Sequence, residues 1–389
     1  MFSQRTNWPL AHNAFTRALE SGRTSGQEIF DLTVSNPTEA GIRPDTQAVL
    51  TALANPEAMD YDPQPRGLLG ARKAVCQYYR ESHGVPDLDP RNIVLTTSTS
   101  EAYSYVFRLL CNPGDEILVP KPSYPLFEFL ADLSDVKLVP YPLIYDHGWQ
   151  IDVDSLEKAA TSRTRAVIVV HPNNPTGSYA SQRELSALNG FCNEHRAAVI
   201  VDEVFLDYAH DGSRRPSFAS NDRALSFSLS GLSKISALPQ MKLSWVVTSG
   251  PAELVAQAGA RLEIIADTFL SMNAPVQLAV PVLLEQRKLI QPLLLSRLRE
   301  NLADLDCQLT AAPACARLDV EGGWYVVLRV PVTQSDEELA IRLLREEFVV
   351  VHPGHFYDFP SDGYLVLSLI TDPRIFREGV SRALKVIGR

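Results

Sequence analysis

The sequence predicts an α/β protein, with a mostly parallel sheet covered by helices on both faces and a smaller α+β domain attached. Between about residues 90 and 250, short and nearly continuous apolar runs alternate with amphipathic stretches. Strands apolar on both faces belong to sheets buried between helical layers. After about residue 280 the order becomes long helix, strand, helix, strand, helix, which is an α+β pattern. A chain of 389 residues with 45% hydrophobic content also has enough core for two such bodies. The expected boundaries are 46–285 for the large domain and 1–45 together with 286–389 for the small one.

The individual elements follow in chain order. The segment Asp31-Leu32-Thr33-Val34 has no strand partner nearby, so it is expected to join the C-terminal part. Strands are expected at 93–95, 116–119, 166–170, 198–201, 225–229 and 245–247, with helices at 101–110 and 184–195 between them. Further on, 294–305 reads as a helix, 324–330 as a strand, 336–347 as a helix and 364–370 as a strand. The terminal helix begins near Pro373.

Composition narrows the function classes. Lys and Arg number 36 against 46 Asp and Glu, for a formal net charge of −10, which argues against a nucleic-acid or anionic-membrane surface. The start, Met1-Phe2-Ser3-Gln4-Arg5, lacks an apolar signal core. No uninterrupted apolar stretch reaches the roughly 20 residues that span a bilayer. The five cysteines (Cys76, Cys111, Cys192, Cys307, Cys315) form no C-x-x-C pair and suit neither a full disulfide set nor a zinc site. Buried thiols and a reduced cytoplasm are expected.

The chemistry-bearing residues fall where such sheets bind ligands, just beyond the carboxyl ends of strands. Thr96-Thr97-Ser98-Thr99-Ser100-Glu101 ends one strand and opens a helix, and Ser98 with Glu101 has capping-box spacing. These hydroxyls serve either as a plain cap or, with the free N–H groups of the helix start, as a phosphate cradle. Tyr124, in Pro122-Ser123-Tyr124-Pro125, either stacks on a ligand ring or closes the core. Asn174, in Asn173-Asn174-Pro175-Thr176-Gly177, is held extended by the following proline, and Gly177 permits the tight turn. Asp202 ends the apolar run 198–201, where a carboxylate is costly unless paired. Lys234 closes Ser230-Gly231-Leu232-Ser233-Lys234, and Lys242 supplies a second cation eight residues on. In this order they describe a pyridoxal-phosphate pocket. Lys234 would form the Schiff base with the cofactor aldehyde, Asp202 would pair with the pyridine nitrogen, and the Asn174 amide would donate to the phenolic oxygen.

These residues resemble the class I and II aminotransferases, the pyridoxal-phosphate enzymes of fold type I, in the form of the alanine and tyrosine aminotransferase branch. The resemblance runs from Tyr61-x-Pro63-x-x-x-Gly67 through Ser100-Glu101-Ala102, Asn112-Pro113-Gly114-Asp115, Asn174-Pro175-Thr176-Gly177, Asp202-Glu203-Val204 and Ser233-Lys234 to Pro353-Gly354-x-Phe356. It implies a large domain with a seven-stranded, mostly parallel sheet, and amino-acid and 2-oxo-acid substrates. It implies a phosphate site at Ser98, Thr99, Ser100, Ser233 and Lys242, and a homodimer in which Tyr61 reaches the neighbouring site. Lys234 would also shuttle the proton, and Asn174 would contact substrate.

Three positions depart from the family pattern. Phe205 replaces a tyrosine that hydrogen-bonds the cofactor, Lys242 replaces an arginine that clamps phosphate, and Val366 stands where an arginine grips the substrate carboxylate. Arg374 is the expected substitute for the last. Because of Val366, a lyase, cyclase or oxidase-like reaction on the same scaffold is the alternative to amino transfer. A non-catalytic regulator would carry an N-terminal DNA-binding module, and the roughly 45 residues ahead of the first motifs contain no basic helix.

Overall fold

Eight strands form the central sheet of the computed structural model, which describes residues 1–388. Their spatial order is 93–96, 244–249, 226–231, 198–202, 164–170, 116–121, 137–145, 149–151. The five strands from 226–231 through 137–145 run parallel, and Ser244–Ser249 is antiparallel to both of its neighbours. The resemblance implies seven strands; the eighth, Trp149–Ile151, is a short antiparallel return of Lys137–Tyr145 at the sheet edge.

Burial explains why these segments are strands. Thr164–Val170 and Ala198–Asp202 are buried along almost their whole length. Alternate residues feed opposite layers, as the period of two requires. Val167, Val169, Val199 and Val201 pack on one face, and Ala166, Ile168, Val170, Ala198 and Ile200 on the other. Each fully buried apolar side chain of this size contributes ~1.5–3 kcal/mol, so a shift of one residue in register would forfeit a whole layer. The crossover helix Gln182–His195 begins in a full capping box between Ser181 and Glu184 and ends where Arg196 turns left-handed.

A second body surrounds a four-stranded sheet in the order 316–317, 325–329, 364–368, 352–353. Phe30–Asp31 pairs in parallel with Val349–Val350, so the N-terminal segment lies with the C-terminal third. One apolar cluster unites Phe15, Phe30 and Leu32 with Leu294, Leu298, Leu343 and Phe376. Helices Arg287–Leu309, Asp336–Glu347 and Pro373–Ile387 cover it.

Two cysteines differ from expectation. Cys307 is exposed and Cys111 half-buried, whereas Cys76, Cys192 and Cys315 are buried; all five are free thiols. No helix among the described residues is long and apolar enough to cross a membrane.

Gly177 joins the two bodies. Its carbonyl accepts the N–H groups of Glu321 and Gly322, its φ is +71°, and an added Cβ would stand 2.5 Å from the Gly322 carbonyl oxygen. Gly177→Ala should therefore cost ~2 kcal/mol or more from left-handed strain and this contact. The urea midpoint of unfolding checks it; an unshifted midpoint would show that the junction yields freely.

Candidate active site

The sheet delivers its chemistry-bearing residues to one edge. Strands 164–170, 198–202 and 226–231 are adjacent and parallel, with Val170 paired to Asp202 and Asp202 to Leu229. Asn174 follows the first, Asp202 ends the second, and Lys234 follows the third. Tyr124 lies beyond Glu116–Lys121 and Ser98 beyond Ile93–Thr96 on the same edge, where Lys242 precedes Ser244–Ser249. Six separate pieces of chain thus converge through strand register alone.

Asp202 is buried, and its carboxylate accepts from the Val204 N–H at 3.1 Å and the Tyr103 hydroxyl at 3.2 Å. Burial pushes its pKa up to about 6 against those two hydrogen bonds and the attraction of Lys234. Next to it, the carboxyl group of buried Glu203 faces away from the edge to Ser217 and the Phe218 N–H, and burial raises it to about 7.

Lys234 lies in the short helix Leu232–Ile235. Its amine sits over the Trp324 ring at 4.6 Å and the Phe205 ring at 5.4 Å from the centroids. Burial lowers its pKa to about 8, partly offset by Asp202. The Tyr208 hydroxyl donates to the Lys234 carbonyl at 2.6 Å and fixes the backbone beneath the amine.

Asn174 is buried, and its Oδ1 has no hydrogen-bond partner among the described residues. A buried amide left open in this way accommodates a polar group brought in by a ligand. The neighbouring Asn173 is instead structural, donating to the Pro122 carbonyl and to Thr176.

Ser98 caps the helix Thr99–Leu110 by accepting from the Glu101 N–H at 3.1 Å. The expected capping box is only half made, because the Glu101 carboxylate reaches back to the N–H and hydroxyl of Thr97 instead. Thr99 and Ser100 occupy the first turn, half-buried, where the helix dipole favours an anion. Ser233 is half-buried, and Lys242 is exposed with φ of +51°. Tyr124 is 43% exposed, with its ring edge-on to Phe127. Tyr61 is 84% exposed, in a cleft it shares with Leu95, Tyr105 and Ser271.

Arg374 does not fit the role expected of it. It lies in the first turn of Pro373–Ile387, exposed, with its guanidinium 2.8 Å from Glu28. The Asp372 cap fixes that helix start, and the surface ion pair holds the side chain outward. Val366 is fully buried in the small sheet.

Tyr103, Tyr208 and Trp324 also belong to the site and were not expected from sequence. Tyr103 lies one turn into the helix that Ser98 opens, on its buried face, so helical periodicity could have found it. Tyr208 and Trp324 are placed by the approach of distant loops, and no local pattern marks them.

The donor set fits pyridoxal phosphate: a buried carboxylate for a cationic ring nitrogen, an amine of lowered pKa for an aldehyde, an open amide, and a hydroxyl-bearing helix start for a phosphate. No group of three or more His, Cys, Asp or Glu among the described residues could hold a metal. Comparison with known proteins agrees. The family model described as aminotransferase class I and II matches residues 27–374. An alanine aminotransferase of Mycobacterium tuberculosis is 28% identical over 365 residues, 92% of this chain and 85% of the relative. A glutamate-pyruvate aminotransferase of Haemophilus influenzae is 28% identical over 353 residues, 88% of this chain and 87% of the relative. The structure of an alanine aminotransferase from Pyrococcus furiosus superposes with a TM-score of 0.89 at 24% identity, covering 100% of this chain and 99% of the other.

The raised pKa of Asp202 has a consequence for stability. A carboxyl that holds its proton more tightly folded than unfolded lowers stability as pH rises. The cost is complete above about pH 6 and fades as pH falls toward the ordinary aspartate value. Ligand-free Asp202→Asn should therefore melt a few degrees above ligand-free wild type at pH 8, and the gap should narrow below pH 6. Equal melting at both pH values would mean that Asp202 is well solvated.

Proposed function

The chain belongs to the class I and II aminotransferases, and on that premise we propose that Lys234, Asp202 and Asn174 are its working residues. The protein is a pyridoxal-phosphate-dependent enzyme that moves an amino group between an amino acid and a 2-oxo acid. One observation carries the residue assignment: adjacent parallel strands end at one sheet edge in a buried carboxylate, an amine and an amide whose oxygen has no partner among the described residues.

When bound, the cofactor supplies an aldehyde and an electron-withdrawing ring. Asp202, already short of partners, would hold a proton on the ring nitrogen, and its own pKa would fall as it gains that cationic neighbour. Lys234 Nζ, with a pKa of about 8, has an appreciable neutral fraction near neutral pH and so can attack a carbonyl carbon and take up or return a proton. Trp324 and Phe205 keep water from that amine. The start of helix Thr99–Leu110, with Ser98, Thr99, Ser100, Ser233 and Lys242, would hold the phosphate. Tyr124 would stack on the ring, and Asn174 would meet the phenolic oxygen and the substrate.

The reading extends to a homodimer acting in the cytoplasm, with 46–285 as the cofactor-binding domain and 1–45 plus 286–389 as the smaller one. Exposed Met59, Tyr61 and Leu270 line a cleft of about 290 Å³, and Phe269 lies exposed next to it. A second copy seated there would bring Tyr61 to the neighbouring phosphate. Sedimentation should give twice the chain mass of 43.0 kDa; a monomer with full activity would remove Tyr61 from the site.

Purified protein should be yellow, and borohydride followed by peptide mapping should place the cofactor mass on Lys234. Label on Lys242 would sink the assignment. Asp202→Asn should keep the fold yet lose roughly a thousandfold in turnover, several kcal/mol of barrier. A loss of less than threefold would make Asp202 structural.

A further inference from the structure

The small sheet turns one face toward Lys234. In antiparallel pairs, residues directly opposite share a face. Tyr325 opposes Ser368, Val327 opposes Val366, and Val366 opposes His352. Tyr325, Val327, Val366 and His352 therefore form one surface. Its Tyr325 end meets the catalytic edge: the Tyr325 ring is 6.2 Å from Phe205, which itself flanks the Lys234 amine.

Tyr357 completes that surface from the turn Gly354–Tyr357, with its ring 6.5 Å from Tyr325. Two bonds tie this turn to the Tyr124 loop: the Ser123 N–H donates to the Tyr357 carbonyl at 2.9 Å, and Lys121 meets Asp358 at 3.1 Å. The Tyr357 hydroxyl lies 3.0 Å from His352 Nδ1. Tyr325 and Tyr357 are both buried, the Tyr325 hydroxyl meets Ser35, and both phenols lie within electrostatic reach of Tyr124. The groups facing His352 are Asp31, Tyr357, Phe356 and the short side chain of Val366. Strand alternation puts one cation on this face, Arg329, exposed at the end of the strand away from Tyr325 and opposite Tyr364, and Lys121 is paired with Asp358.

We propose that the Tyr325 and Tyr357 hydroxyls form an uncharged wall that binds the substrate carboxylate, with His352 positioning Tyr357. This rests on the amino-transfer activity, whose substrates all bring a carboxylate. A phenol O–H to a carboxylate is a short, charge-assisted bond. With its proton on Nδ1, His352 donates to the Tyr357 oxygen and frees the phenol to donate on the side of Tyr124 and Tyr325; an arriving carboxylate selects that tautomer. The wall follows from Val366: a short apolar side chain leaves this surface to the two phenols.

The test uses cofactor-loaded enzyme with L-alanine, L-glutamate and L-tyrosine as donors and pyruvate or 2-oxoglutarate as acceptor. Tyr325→Phe and Tyr357→Phe should each raise KM about tenfold, with kcat changed less than threefold and cofactor absorbance intact. His352→Leu should behave like Tyr357→Phe. His352→Asn, whose amide can replace Nδ1, should restore KM to within about threefold of wild type. Wild-type KM in both phenylalanine variants would overturn the wall, and equal KM for His352→Leu and wild type would overturn the positioning role. If wild type turned over no donor, the activity would fail, but titration with propionate would still read the subsite. About tenfold weaker binding by Tyr357→Phe supports the wall, and equal binding overturns it.

Discussion

A carboxylate and an amine share one poorly solvated corner at the carboxyl edge of the sheet, and the surrounding structure answers to the cost of burying them. Their attraction should hold Asp202 low and Lys234 high, yet Asp202 is pushed up to about 6 and Lys234 down to about 8. Desolvation wins because neither charge has a complete set of partners. Asp202 has one N–H and one phenol, and Lys234 has two aromatic faces. Such a corner persists because strand register fixes where both side chains emerge, and the buried strands will not shift to relieve it. A ligand carrying a ring cation and an electrophile relieves both groups at once, so the strain is matched to the cofactor.

The second body is held against that corner by hydrogen bonds that converge around it. Gly323 donates to the Tyr208 carbonyl, while the Tyr208 hydroxyl donates to the Lys234 carbonyl. His210 donates to Glu321, whose own N–H bonds Gly177 in the Asn174 motif. Trp324 is thereby carried to the amine by the same turn that anchors the asparagine loop. Positioning of catalytic groups and docking of the two bodies are one network, so a substitution at the junction perturbs chemistry without touching the ligand.

Much of this was legible in the sequence because the buried strands are apolar on both faces and the functional residues follow them directly. Asp202, Lys234 and Asn174 stand out since each breaks an apolar run or a Pro/Gly turn at a strand end. The strand Lys137–Tyr145, next to the sheet edge, was not legible: it contains Pro140 and Pro142 and is mostly exposed or half-buried, and proline is confined to such peripheral positions. The helices at 252–269 and 274–285 lie in a stretch without motifs between Lys242 and Pro353, and the second contains Pro281. Trp324, Tyr208 and the phenols facing the site depend on contacts between segments well apart in the chain, from Tyr208 to Lys234, Lys234 to Trp324 and Phe205 to Tyr325, for which single-sequence periodicity carries no signal. Arg374 illustrates the opposite error. It follows Val366 closely in sequence, but the helix start at Asp372 turns that side chain to solvent, where it pairs with Glu28.

Phe205 ties these threads together. A hydroxyl there would offer Lys234 a polar neighbour; the bare ring offers only its face, worth roughly 0.5–1 kcal/mol to a cation. Burial outweighs that and the amine shifts toward neutrality, which favours attack on a carbonyl. The same absence leaves Asn174 as the one candidate among the expected site residues to meet the phenolic oxygen. Its buried, unpartnered Oδ1 is an acceptor open to a donor that a ligand brings, and the donor to a phenolic oxygen would be Nδ2 of the same amide. Loss of a hydroxyl at 205 and of a long cation at 366 therefore act in the same direction. On the proposed reading, recognition would then fall to neutral amide and phenol groups set in place by the two sheets.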